Sequence, residues 1–224
     1  MIHRTSREHV LKTLKENQNN WNILDIGCNI SAIKYAQTCA DIKDLSSFYK
    51  NKNFVLIKTK ELPFKDNEFD FVFASHVIEH VDDVAFFIKE LQRISKKGYI
   101  ELPTILEDNI VLSHNSSEDH KWYFQFDDVN NVLLTEKKKQ LIQPFITHGV
   151  LFGSWRKNFR SSLVLELLWE NEINYEFKNF SVEAKKIYFI SMIKKYFSFQ
   201  IRNNKIISIF FIIILSYFLI NFLL

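Results

Sequence analysis

The chain has 224 residues, 47% of them hydrophobic, which is enough for one medium-sized packed domain plus appendages and excludes a disordered or fibrous protein. A formal charge of +3, with Lys and Arg interspersed among Asp and Glu, provides no basic stripe, so a nucleic-acid partner is not expected. The two cysteines, Cys28 and Cys39, are too few for a disulfide framework or a zinc cluster and suit a reducing compartment.

In chain order, the polar stretch Met1 to Val10 lacks the apolar run of a secretory signal, so no export is expected. Arg4 to Asn17 has helical spacing through Val10, Leu11 and Leu14. Asn22 to Ile26, Phe54 to Ile57 and Phe69 to Ala74 are short apolar runs that read as buried parallel strands. Asp82 is placed to cap a helix with Val84, Phe87, Ile88, Leu91 and Ile94 on one face. Lys96, Lys97 and Gly98 are expected to close it with a left-handed cap, and a strand from Tyr99 to Leu102 follows until Pro103 stops it. Trp122 to Phe126 and Val132 to Thr135 can pair as a hairpin, and Ile173 to Phe177 can form a late strand. Alternating strand and helix predicts an α/β fold, a doubly wound, mostly parallel sheet with ligands beyond the strands' C-terminal ends.

The C-terminal end has a different composition. Ile206 to Leu224 reads IISIFFIIILSYFLINFLL, which as a helix would span roughly 28 Å and is apolar on every side, as a transmembrane helix requires. Lys194, Lys195, Arg202 and Lys205 precede it, and basic flanks stay cytoplasmic, so a tail anchor holding the rest of the chain in the cytosol is expected. Ile187, Ile190, Ile193, Phe197 and Ile201 share one helical face, which fits either an interfacial helix or an ordinary surface helix. The domain plan is therefore 1–180 for the α/β body, 181–204 for a basic connecting helix and 205–224 for the anchor.

Two segments carry chemistry. NILDIGCNISAIKYA, from Asn22, puts an acid and a glycine at the end of the first strand, and LPFKDNEFDFVFASHVIEHVDDVAFFIKELQRISKKGYIELPT, from Leu62, follows a turn with a strand ending in Ser75–His76 and then Glu79–His80. Together they resemble the class I, Rossmann-like methyltransferases that use S-adenosylmethionine, in particular the small-molecule type 11-like group with D-x-G-x-G, L-P-F, F-D-x-V and E-H. SHVIEHVDD, KKGYIELPT and HKWYF are similar to a subgroup associated with bacterial surface glycans.

The resemblance implies S-adenosylmethionine as cofactor. It implies that Asp25, Gly27, Cys28 and Asn29 form the loop for its amino-acid end, with Asn29 standing where the family has a glycine able to adopt positive φ. An acid at the end of the second strand takes the ribose hydroxyls. Asp41 is the candidate and Asp44 its rival. Where many relatives carry an adenine-binding acid, Lys58, Thr59 and Lys60 follow Ile57, so backbone near Lys60, Glu61 and Leu62 is expected to bracket the adenine. Ser75 and His76 should lie beside the methionine portion.

Methyl transfer from a sulfonium needs alignment in a dry pocket and, for some acceptors, removal of a proton. His76, His80 and His120 are the candidate catalytic groups, with Glu79 a further titratable neighbour; His80 also reads as a helix-start residue bonded to backbone. Trp122, Tyr123 and Phe124 can wall an acceptor site, although so Phe-rich a chain favours core, and Trp155 and Trp169 are assigned to packing. His114, Asp119 and His120 find no further ligand at a convincing interval, so no metal is expected. The acceptor implied is a small molecule, a glycan or a lipid-linked compound at a membrane. The alternative is a degenerate binding module on the same fold. A nicotinamide site is disfavoured because G-x-G-x-x-G is broken at Asn29 and Ala32.

Overall fold

A computed structural model describes residues 1–110, 120–138 and 156–178, all within one compact unit spanning Met1–Asn179. The expectations for the connecting helix at 181–204, the anchor at 205–224, Trp155, His114 and Asp119 lie outside the described residues. Among the described residues no helix is long and apolar enough to cross a membrane.

The sheet is built from β1 (Ile2–Arg4), β2 (Ile23–Ile26), β3 (Thr38–Asp41), β4 (Asn53–Leu56), β5 (Phe71–Ser75), β6 (Lys97–Pro103) and, late in the chain, β9 (Val164–Glu170), in the order β1-β9-β6-β5-β2-β3-β4. Strands β4, β3, β2, β5 and β6 run parallel, whereas β9 is antiparallel to both β6 and β1. The order reverses at β2, which sits between β3 and β5. Loops leaving the C-terminal ends of β2 and β5 therefore diverge, and the crevice between them is where such sheets bind ligands.

Alternation along each strand divides the core in two. Ile23, Phe71, Phe73 and Tyr99 pack with Val10 and Leu14 of helix α1 (Arg7–Asn17) on one face. Leu24, Ile26, Val72, Ala74 and Ile100 point the other way, onto Ile88 and Leu91 of helix α2 (Val84–Ile94). Helix α1 starts three residues later than its spacing suggested. The preceding Ile2–Arg4 pairs with β9, and Ser6 caps the helix by accepting the His9 N–H at 3.2 Å. Asp83, not Asp82, caps α2: it accepts the Phe86 N–H at 3.0 Å, while Asp82 pairs with Lys121.

Gly98 is not a left-handed cap either. It lies inside β6, where an added Cβ would stand 2.5 Å from the Val72 carbonyl oxygen and 2.6 Å from Trp169 Nε1. The glycine is there because two strands and an indole converge on it. Trp169 itself is fully buried, as assigned.

A smaller sheet follows, β7 (Trp122–Asp127), β8 (Val132–Lys137) and β10 (Tyr175–Phe177), ordered β10-β8-β7. The hairpin of β7 and β8 is antiparallel as expected, and β10 joins β8 in parallel. Helix α3 (Ile105–Ile110) follows β6, and a helical turn, Arg160–Leu163, leads into β9.

The crossovers from β2 to β3, β3 to β4 and β4 to β5 contain no helix; only β5 to β6 uses one, α2. Cys28, Cys39 and Tyr49 form a small apolar cluster with Ala32, Leu45 and Phe54, filling space beside the first crossover.

Candidate active site at the ends of the parallel strands

The loop after β2 is shaped almost entirely by backbone. Gly27 (φ 68°) and Asn29 (φ 42°) are both left-handed, so asparagine keeps the conformation expected of a glycine at that position. The Gly27 and Cys28 N–H groups both donate to the Ala40 carbonyl, at 2.7 and 3.4 Å, and Asn29 N–H donates to Asp41 Oδ2 at 2.8 Å. Tyr49 closes the loop from the side: its hydroxyl donates to the Asn29 carbonyl at 2.6 Å and accepts the Ala32 N–H at 3.0 Å. Cys28 turns its thiol inward, where its hydrogen bond with Cys39 and burial near Asp25 and Asp41 keep it protonated. Only its backbone belongs to the loop's outer edge.

Asp25 also faces inward. It is 4% exposed, and its Oδ2 accepts the Ile33 N–H at 2.6 Å. Burial raises its pKa to about 7, against the pull of the Ile33 hydrogen bond, Arg7 and Lys52. Asp25 thus holds the loop in shape from beneath rather than presenting a free carboxylate.

Asp41 and Asp44 are separated by their surroundings. Asp41 ends β3, is 7% exposed, and accepts backbone N–H groups from Asn29 and, at 3.0 Å, Lys43. Asp44 is exposed and bonds Ser46 two residues on, a local turn motif. Glu61 is exposed, and its carbonyl accepts the Thr59 hydroxyl at 2.8 Å. Leu62 corrects an expectation: its N–H is spent on Glu90 Oε2 at 2.8 Å and its carbonyl receives Arg93 at 3.0 Å, so its backbone offers no open edge to an adenine.

Across the crevice the chemistry changes from backbone to ions. Ser75 Oγ accepts from Arg7 at 3.3 Å, and the same guanidinium binds Glu101 Oε2 at 2.6 Å. Arg160 donates to Glu101 Oε1 at 2.7 Å and to Glu166 at 3.1 Å, and the Tyr99 hydroxyl lies 3.1 Å from both acids. Burial opposes ionisation of Glu101, yet His76, Arg7 and Arg160 hold its carboxyl well below the usual range. Arg156 lies against His76 Nε2 and pairs with Glu107 Oε1 at 3.1 Å.

His76 stands at the mouth of β5 with φ 55°, a conformation few side chains adopt and one that turns its ring into this network. Nδ1 is 3.0 Å from Glu79 and Nε2 is 3.4 Å from Glu101. Burial lowers its pKa, but Glu101 and Glu79 outweigh burial and the Arg156 contact at 2.5 Å, and hold it at about 9. At neutral pH this favours an imidazolium that donates to Glu79 through Nδ1 and pairs with Glu101 through Nε2.

His80 and His120 are brought together instead, their rings 4.7 Å apart and nearly perpendicular. His120 Nδ1 is 2.7 Å from Asp108 Oδ1. Trp122 and Phe124 are core residues of the main cluster, with Trp122 Nε1 donating to the Val81 carbonyl at 2.8 Å, so neither walls an open site. Tyr123 is buried under Lys138, whose Nζ sits 4.6 Å from its ring centre.

Spacing did not single out Arg7, Arg156, Arg160 or Glu166. The one available signal was Glu101, an acid within the apolar run Tyr99–Leu102 of a strand buried on both faces, which needs partners brought from elsewhere.

Residues 9–100 match the family described as "Methyltransferase domain". An uncharacterised protein of Methanocaldococcus jannaschii, MJ0638, is 33% identical over 109 residues, covering 43% of this chain and 46% of that protein. The solved structure of YcgJ from Bacillus subtilis is similar at 22% identity and a TM-score of 0.36, over 44% of this chain and 52% of that one. A methyltransferase of Aquifex aeolicus, described as SAM-dependent, is similar at 13% identity and a TM-score of 0.40, over 72% and 87%. The chain spans about half the length of MJ0638 and YcgJ. The β2 loop, Asp41 and the Ser-His-x-x-Glu-His segment all lie within residues 9–100, the part of the chain that matches the methyltransferase domain.

Proposed function

We propose that the chain transfers a methyl group from S-adenosylmethionine to a small-molecule, glycan or lipid-linked acceptor at a membrane surface. The observation that carries the cofactor half is the meeting of Gly27, Asn29 and Asp41 at the C-terminal ends of β2 and β3. Asp41 has lone pairs beyond those given to Asn29 and Lys43, and a carboxylate so oriented suits two ribose hydroxyls. The amino-acid end of the cofactor lies along the Gly27–Asn29 backbone. The acceptor enters beside Ser75, where acids and cations already compensate one another and the field is fixed before substrate arrives.

In-line displacement places most of the demand on alignment. With His76 held as an imidazolium, His80 and His120 are the groups left to meet an acceptor's proton. The membrane half rests on Ile206 to Leu224 and the basic residues before it, which favour a cytoplasmic domain and would concentrate bilayer-confined acceptors near the site.

Release of S-adenosylhomocysteine when the protein is offered fractionated lipid and glycan extracts tests the activity and names the acceptor class at once. Binding of S-adenosylmethionine without turnover on any fraction would favour the tethered binding module, a reading to which the protonated His76 lends weight. Deleting residues 205–224 should move the protein from the membrane pellet to the supernatant, and an unchanged distribution would remove the anchor from the account.

A further inference from the structure

We propose that Glu79, His80 and His120 bind a divalent transition-metal ion, with zinc the best match to the donor set. One ligand atom from each residue falls within 4.8 Å of the other two. Two imidazoles and a carboxylate select a borderline-soft ion over calcium or magnesium, which require oxygen. The three come from two separate stretches of chain, so no spacing in the sequence reveals them. The Lys121 N–H donates to the Glu79 carbonyl at 2.7 Å and fastens those stretches together.

Two further observations point to a cation. Glu79 is fully buried, and while Oε1 lies 3.0 Å from His76 Nδ1, Oε2 has no hydrogen-bond partner. An acceptor oxygen left so in the interior is costly, and a metal ion would satisfy it. His120 has the outer support typical of a metal-bound imidazole. Asp108 Oδ1 takes Nδ1–H at 2.7 Å, which leaves the Nε2 lone pair for the ion, and Lys138 anchors the other Asp108 oxygen at 2.7 Å.

At metal–ligand bonds of about 2.0–2.2 Å, tetrahedral donors stand about 3.4 Å apart, so loading draws the three side chains together by rotamer adjustment. Three protein ligands leave a fourth position open to water or to an oxygen donor. Occupied in this way, His80 and His120 are ligands and not bases, which refines the role given to them above. Metal binding itself does not depend on methyl transfer.

The test is titration of the full chain, purified in detergent and stripped with a chelator, with cobalt(II) as a spectroscopic probe and zinc(II) as competitor. One equivalent of cobalt with the visible bands of a tetrahedral site, displaced by zinc, is expected. His120→Ala should abolish the bands, and Asp108→Asn should weaken binding about 10–100-fold. Absence of saturable binding by the folded wild-type chain would overturn the site, as would unchanged binding in a His80→Ala/His120→Ala double variant. Calorimetry of the stripped protein with S-adenosylmethionine reads the cofactor site separately, so a failed metal site and a failed cofactor reading give different results.

Discussion

The two sides of the crevice are built on different physics. On the β2–β3 side, shape comes from backbone: two left-handed residues, three consecutive N–H groups aimed at the end of β3, and one carboxylate that receives the last of them. On the β5–β6 side, shape comes from a balanced set of buried or half-buried ions centred on Glu101. A backbone cradle is local and is specified by a few residue types. An ion network is assembled from distant segments and stands or falls as a unit.

That contrast can be broken first at Glu101. Glu101→Ala leaves Arg7, Arg160 and His76 without their shared acid, and denaturant unfolding should show a loss of about 3–5 kcal/mol. If the two sides are independent, the variant that remains folded keeps its affinity for S-adenosylmethionine. A loss below about 1 kcal/mol would mean that the network is ornamental.

On the backbone side the largest effect is that of Asp25 on pH dependence. Its pKa rises from 3.8 in the unfolded chain to about 7 in the fold, so between these values the folded state binds more protons and stability falls as pH rises. Over that window Asp25 should remove on the order of 4 kcal/mol. Asp25→Asn, which retains an acceptor for the Ile33 N–H, should flatten the curve, and an unaltered slope in thermal melts would assign the effect elsewhere.

Gly27→Ala comes next. It forces an L side chain into φ 68° and sets a Cβ 2.3 Å from Val77 Cγ2, so a cost of about 1–3 kcal/mol is expected with at least a tenfold loss of cofactor affinity. Asn29→Gly should do almost nothing, within about 0.5 kcal/mol in stability, because φ 42° is already accessible to asparagine. A marked gain in cofactor binding would show that the departure from glycine is costly after all.

The same contrast explains what the sequence reveals. Strand alternation, the hairpin and helix α2 follow from periodicity and turn residues, and the β2 loop follows from Asp25, Gly27 and Asn29 within fifteen residues. Asp41 was legible as the strand-end acid, and burial rather than spacing separates it from Asp44. Strand β9 was missed because its register with β6 is antiparallel and distant, and Val164–Glu170 carries acids at Glu166 and Glu170 that blur the apolar run. Gly98 was misread because a glycine after a helix normally signals a cap, whereas here tertiary approach of Trp169 decides. The charge of His76 was hidden, since it depends on Glu101, which lies 25 residues further along the chain.

We propose that the cradle of Gly27, Asn29 and Asp41 holds S-adenosylmethionine. Calorimetric titration of the full chain measures it most directly. One saturable site is predicted, lost in Asp41→Ala and retained in Asp44→Ala; no binding by the folded wild-type protein, or equal binding by Asp41→Ala, would contradict it.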